Sequence, residues 1–342
     1  MFYHKIYRFL QGVIILPGVF LFIAPSGAFG MGNNQKLRPS HAEPAPAFSD
    51  GLEPLAEAIQ AEQAQVPPAA NPELPSREEA VMKALAAAYP DRAGSAEYRN
   101  GDWAIPVRGV FYYYAGGRLL PEDLLARAEE YDPQPFYSYP AELPPWKAPE
   151  PEDADRYRNF TERRQAHPPK RSHHFYDALW RASTKEEAYD RVKTIRLFGR
   201  SVMVHYSIME ELALVEERIL TEAKTNPAVR QWINSLSTLD SWNWRSIADT
   251  QSRSFHAYGA AIDLLPASTG GRETYWLWTA RSNAEWWTIP YEKRFHPPDA
   301  VIKAFEAYGF IWGGKWLFYD TMHFEYRPEI IILSGMSLSN LR

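Results

Sequence analysis

Apolar residues return every third or fourth position along some stretches of the chain and every second position along others. The first period belongs to a helix with one buried face, the second to a half-buried strand. "REEAVMKALAAAYP" has the helical period and stops at Pro90. "DWAIPVRGVFYYYAGGRLLP" alternates and is rich in β-branched and aromatic residues, so it predicts strands around Gly109 and Gly116-Gly117. "PPWKAPEPEDADRYRNFTERRQAHPPKRS" reads as a long polar, Pro-rich crossing over the surface. "TIRLFGRSVMVH" predicts two short strands around Gly199. In "YSIMEELALVEERILTEAK", Ile208, Leu212, Val215 and Ile219 fall on one helical face. Asn226-Pro227 ends that helix and starts another, running to Leu236. "PPDAVIKAFEAYGF" predicts a helix from Pro298 to Gly309, with Val301, Ile302, Phe305 and Tyr308 inward. "FIWGGKWLFYDTMHFEY" returns to strand-like composition. Helices alternate with short strands without regular βαβ spacing, and no internal repeat is visible. The expected class is α+β, a largely antiparallel sheet flanked by helices.

The first residues have a different pattern. Lys5 and Arg8 precede an apolar run from Val13 to Ile23, followed by small residues in PSGAFG. This is the layout of a secretory leader, with Ser26-Gly27-Ala28 as the expected cleavage site. The run is short for a full membrane span, so cleavage is preferred to retention as an anchor, and no stable span is expected in the mature chain. Residues 29–76 are rich in Pro, Ala, Glu and Gln and predict a flexible linker. Residues 77–190 form an N-terminal extension or subdomain, and residues 191–342 the domain that carries the chemistry. Without Lys5 and Arg8, the 37 basic residues fall to 35 against 42 acidic ones, and the formal charge moves from −5 to −7. An acidic chain lacks the basic stripe of a nucleic-acid binder. There is no cysteine, which excludes lipoprotein attachment and a disulfide framework. Export to a periplasm or cell envelope is the expected location.

"SRSFHAYGAAIDLLP", from Ser252 to Pro266, sets Asp263 inside an apolar run. A buried carboxylate needs a partner, and a metal ion is one candidate. A catalytic zinc takes three protein ligands and leaves a position open. With no cysteine, those ligands must be His, Asp or Glu. His256 and Asp263 lie on one segment, with Gly259 between them to permit a turn. "YDTMHFEYRP" offers His323, with Asp320 three residues before it and Glu325 on the same face of a strand.

Ser254-x-His256-x-x-Gly259-x-Ala261-x-Asp263, followed by Asp320-x-x-His323, resembles the zinc D-alanyl-D-alanine carboxypeptidase and L-alanyl-D-glutamate endopeptidase family, the VanY-like peptidases. The resemblance covers about residues 195–330, and "GGKW" before the last motif is similar to the endopeptidase branch. It implies a Hedgehog/DD-peptidase-like fold, Zn²⁺ held by His256, Asp263 and His323, and peptidoglycan stem peptides as substrate. It also implies a carboxylate base three residues before the last histidine, which here is Asp320, the form found in the endopeptidase branch. Glu325 is the rival base, or else a hydrogen-bond partner of a ligand histidine. The family carries an arginine upstream of the motif. Arg245 is the match, and Arg253 is the alternative for pairing with the substrate carboxylate or the developing oxyanion. Ser254 is expected to orient substrate or the ligand loop. The competing reading is a non-catalytic, zinc-containing, peptidoglycan-binding envelope protein. Intact Asp320 weighs against it, because a degenerate enzyme can lose its base freely.

Overall fold

A computed structural model describes residues 75–339 apart from Asp249. The expected leader over 1–28, and the expected linker over 29–76 except Pro75 and Ser76, lie outside the described residues. Helix α1 (Arg77–Ala88) is capped by Ser76, whose hydroxyl accepts from the Glu79 amide. Glu78 and Glu79 complement the helix dipole in the first turn. Val81, Met82 and Leu85 form its buried face. Strands β1 (Glu97–Arg99), β2 (Asp102–Val107), β3 (Val110–Tyr113) and β4 (Leu120–Pro121) then make an antiparallel meander in chain order. The two-residue turn Arg108-Gly109 joins β2 to β3.

The polar crossing after residue 143 is more structured than its composition suggests. Between Pro151 and Pro168 it forms two short helices, α2 (Ala154–Arg158) and α3 (Phe160–Ala166). Its Ala, Arg, Glu and Gln residues are good helix formers. Phe160 anchors the crossing by packing on Phe318 at 4.7 Å between ring centres. Helices α4 (His174–Trp180) and α5 (Lys185–Arg191) follow, then the hairpin β5 (Val192–Leu197) and β6 (Arg200–His205) around Gly199. Helix α6 (Met209–Glu222) buries Leu212, Val215 and Ile219, as the spacing predicts. Each such burial contributes about 1.5–3 kcal/mol. Asn226 caps α7 (Pro227–Ser235) through the amides of Ala228 and Val229.

The remaining elements carry the site. They are β7 (Leu236–Asp240), the single turn α8 (Phe255–Tyr258), β8 (Ala261–Pro266), α9 (Trp276–Ser282), α10 (Asp299–Ala307), β9 (Phe310–Trp312), β10 (His323–Tyr326) and α11 (Pro328–Leu333). The sheet order is β7-β8-β10-β9, and every ladder between these strands is antiparallel. The protein is therefore α+β with antiparallel sheets. One apolar core joins α1, β2, α4, α6, α10 and the inner face of β8 and β10, so residues on both sides of position 190 share it. A second, aromatic cluster gathers Tyr139, Phe160, Trp276, Trp286, Trp316 and Phe318. Among the described residues no helix is long and apolar enough to cross a membrane.

Candidate metal centre

Strands β8 and β10 pair so that Asp263 lies directly opposite His323 and Ala261 directly opposite Glu325. Facing residues of an antiparallel pair share one side of the sheet. Ile262 and Phe324 take the other side and enter the core.

The turn α8 brings His256 to the same place. Ser254 is its N-cap, and its hydroxyl accepts from the His256 amide at 3.2 Å. Gly259 closes the turn in the left-handed region, with φ +70. A Cβ there would stand 2.8 Å from the His205 amide nitrogen, so this position requires glycine on two counts. His205 in turn donates its backbone N–H to the Gly259 carbonyl.

The polar partners of the two histidines decide which ring nitrogens are available. His256 Nδ1 is 2.6 Å from the Ser241 carbonyl, which can only accept, so Nδ1 carries the hydrogen and Nε2 keeps a lone pair. His323 Nε2 faces the Glu325 carboxylate at 3.3 Å, which leaves Nδ1 as its free nitrogen. His256 Nε2 lies 3.1 Å from His323 Nδ1 and 3.4 Å from Asp263 Oδ1, and His323 Nδ1 lies 2.9 Å from Asp263 Oδ1. A tetrahedral zinc with bonds near 2.0–2.1 Å separates its ligand atoms by about 3.4 Å. Three acceptors thus converge at nearly the spacing one ion requires. All three residues are at most 1% exposed, and Asp263 Oδ2 is a buried oxygen with no hydrogen-bond partner. A buried carboxylate of this kind is stabilised by a cation. These residues could hold a metal ion.

The titration behaviour points the same way. Burial alone would raise the Asp263 carboxyl, but the charge and hydrogen bonds of His256 and His323 hold it below the usual carboxylate range. Burial would lower His323, but Asp263 and Glu325 raise it well above an ordinary imidazole. Both shifts favour positive charge beside Asp263, which is what a bound cation would supply.

Asp320 is fully buried, and its charge is among those that raise His323. Its amide donates to the Gly313 carbonyl, so the glycine-rich turn after β9 fixes its backbone. Glu325 receives Arg327 Nη1 at 3.0 Å as well as the His323 ring, which is the arrangement of a group that orients a ligand histidine. The Arg245 carbonyl accepts from the Ser254 amide, and Arg245 is half-buried beside the ligand turn. Arg253 is turned elsewhere: it pairs with Asp177 and stacks on Trp244 at 4.4 Å.

Sequence reasoning missed the groups behind the ligands. The Ser241 carbonyl is a backbone atom and leaves no signal in the sequence. Arg327 Nε bonds Glu329, and Glu329 accepts from the Tyr89 hydroxyl at 2.8 Å, so a buried chain runs from His323 to helix α1. The alternation His323-x-Glu325-x-Arg327-x-Glu329, charged at every second position beyond the ligand, was the available clue.

Two family models match the chain. A D-alanyl-D-alanine carboxypeptidase model matches residues 248–326, less than a quarter of the chain, and a domain of unknown function matches residues 81–136. The first spans all the residues discussed at this centre from Arg253 to Glu325, but not Arg245. No curated protein and no solved structure matches. The matched region supports a peptidase of the D-alanyl-D-alanine carboxypeptidase type, with a buried His-Asp-His group that could hold a metal.

Proposed function

We propose that the protein is a zinc peptidase that hydrolyses peptide bonds in peptidoglycan stem peptides, on a Hedgehog/DD-peptidase-like fold. The observation that carries this reading is the convergence of His256 Nε2, Asp263 Oδ1 and His323 Nδ1 within 3.4 Å, inside the region similar to D-alanyl-D-alanine carboxypeptidases. When bound, zinc would supply Lewis acidity for the scissile carbonyl and lower the pKa of the attacking water. Asp320 accepts the proton of that water and returns it to the leaving amine. Arg245, half-buried beside the ligand turn, pairs with the substrate carboxylate or the oxyanion. Glu325 keeps the His323 ring turned toward the ion, and Ser254 holds the turn that presents His256. The leader pattern over 1–28 supports export to a periplasm or cell envelope. N-terminal sequencing of the chain from its native host checks this, and a mature chain starting at Met1 would refute cleavage.

The test is mass spectrometry of muropeptides incubated with zinc-loaded and chelated protein. Cleavage that requires zinc is expected. Stoichiometric zinc with muropeptides bound but uncut would instead make this a binding protein.

A further inference from the structure

A cavity of about 380 Å³ lies between the segment that matches a domain of unknown function and residues 178–207. Asp91, Arg92 and Arg108 come from the first, and Arg181, His205 and Ser207 from the second. It shares no residue with the metal centre. Its wall is nevertheless bonded to that centre, through the His205 amide and the Gly259 carbonyl.

Three arginines and one aspartate line this cavity, in a chain whose net charge is −5. Arg92 Nε takes up that carboxylate, Asp91, at 3.2 Å. The Arg92 guanidinium lies over Trp180 at 4.7 Å and reaches the Ser207 carbonyl at 3.4 Å, while its Nη1 is buried with no hydrogen-bond partner. Arg108 and Arg181 are exposed, and neither guanidinium has a hydrogen bond or ion pair among the described residues.

The backbone gives an independent sign. Arg108 has φ +53 in the two-residue β2–β3 turn, and Arg181 has φ +55 at the C-cap of α4. Both positions favour glycine or asparagine, because a Cβ is strained there. The comparable position in the β5–β6 turn is Phe198, φ +48, which is buried and packs on Trp232. Packing offsets its strain, whereas Arg108 and Arg181 remain exposed. Backbone strain without a packing return concentrates at binding sites.

We propose that this cavity binds an oxyanion-bearing ligand, either a peptide carboxylate or a phosphate ester. Guanidinium forks match both groups, and the volume lies in the range of small-molecule sites. On this reading residues 81–136 supply half of a second site, independent of the peptidase reading.

Calorimetric titration of the purified chain with inorganic phosphate and with succinate, at low and at physiological salt, tests it. One saturable anion per chain is expected. Tighter phosphate binding assigns the phosphate-ester source, and tighter succinate binding the carboxylate source. The double variant R108G/R181G places glycine where the backbone already favours it, so its Tm and zinc content should be unchanged or higher while anion affinity falls at least tenfold. Absence of saturable binding in the wild type, or equal binding in the variant, would overturn the proposal.

Discussion

Two buried ionic clusters flank the ligand strands, and they are built to different ends. In one, Lys315 Nζ meets Glu306 and the carbonyls of Pro140 and Ala141 at 2.8 and 2.9 Å, while the Tyr139 hydroxyl also bonds Glu306. Every donor of the ammonium is used. In the other, Glu325, Arg327 and Glu329 run from His323 to Tyr89, and Arg327 Nη2 and the nearby Asp263 Oδ2 have no partner. Burial wins in the first: it pulls Lys315 down and pushes Glu306 up in spite of their pairing. Partners win in the second: burial would raise Glu325, but His323 and Arg327 hold it low. Buried charge alone therefore does not mark a site. The mark is a buried polar chain that ends on unsatisfied atoms.

Substitutions can break this contrast, and the largest effect is expected at the buried carboxylate three residues before His323. Asp320→Asn should keep its zinc and lose about 10²–10⁴ in kcat/KM on a stem peptide. Near wild-type turnover in this variant, beside a dead but zinc-loaded Glu325→Gln, would exchange the two roles. Lys315→Met leaves Glu306 buried without its cation and should destabilise the fold by about 3 kcal/mol in urea unfolding, with zinc affinity unmoved. A shift in zinc affinity there would mean the two clusters are not separate. Glu325→Gln should weaken zinc binding by about 10–100-fold, read by competition with a chromophoric chelator, and an unchanged constant would remove Glu325 from the centre. The smallest effect is expected at the far end of the chain. Tyr89→Phe should cost about 1 kcal/mol of stability and leave zinc affinity within threefold. A tenfold loss would extend the metal centre into helix α1.

Much of this was legible in the sequence where chemistry and period coincide. The run AAIDLLP around Asp263, the turn demanded by Gly259 and the shared face of His323 and Glu325 all follow from spacing. The face of α6 follows from its 3.6-residue period. Other features depend on partners far away in the chain, which no local pattern reports. Tyr89 meets Glu329 across 240 positions, and Arg253 is claimed by Asp177 across 76. Helices α2 and α3 were obscured because the prolines around them dominate the composition of the crossing. The three arginines of the cavity come from separate turns and helix ends, where no period operates.

The register of β8 against β10 has a consequence in time. Asp263 and His323 lie 60 positions apart in the chain, and His256 and His323 lie 67 apart. An ion cannot grip all three until those strands have paired, and closing so long a loop belongs to the folding barrier itself. A metal bound there would stabilise the paired, folded arrangement and not the open chain. It should slow unfolding in step with its affinity and leave the refolding rate nearly untouched. An ion held there would act as a lock on a finished structure and not as its seed: a chain stripped of metal should fold again as readily and stay folded for less time.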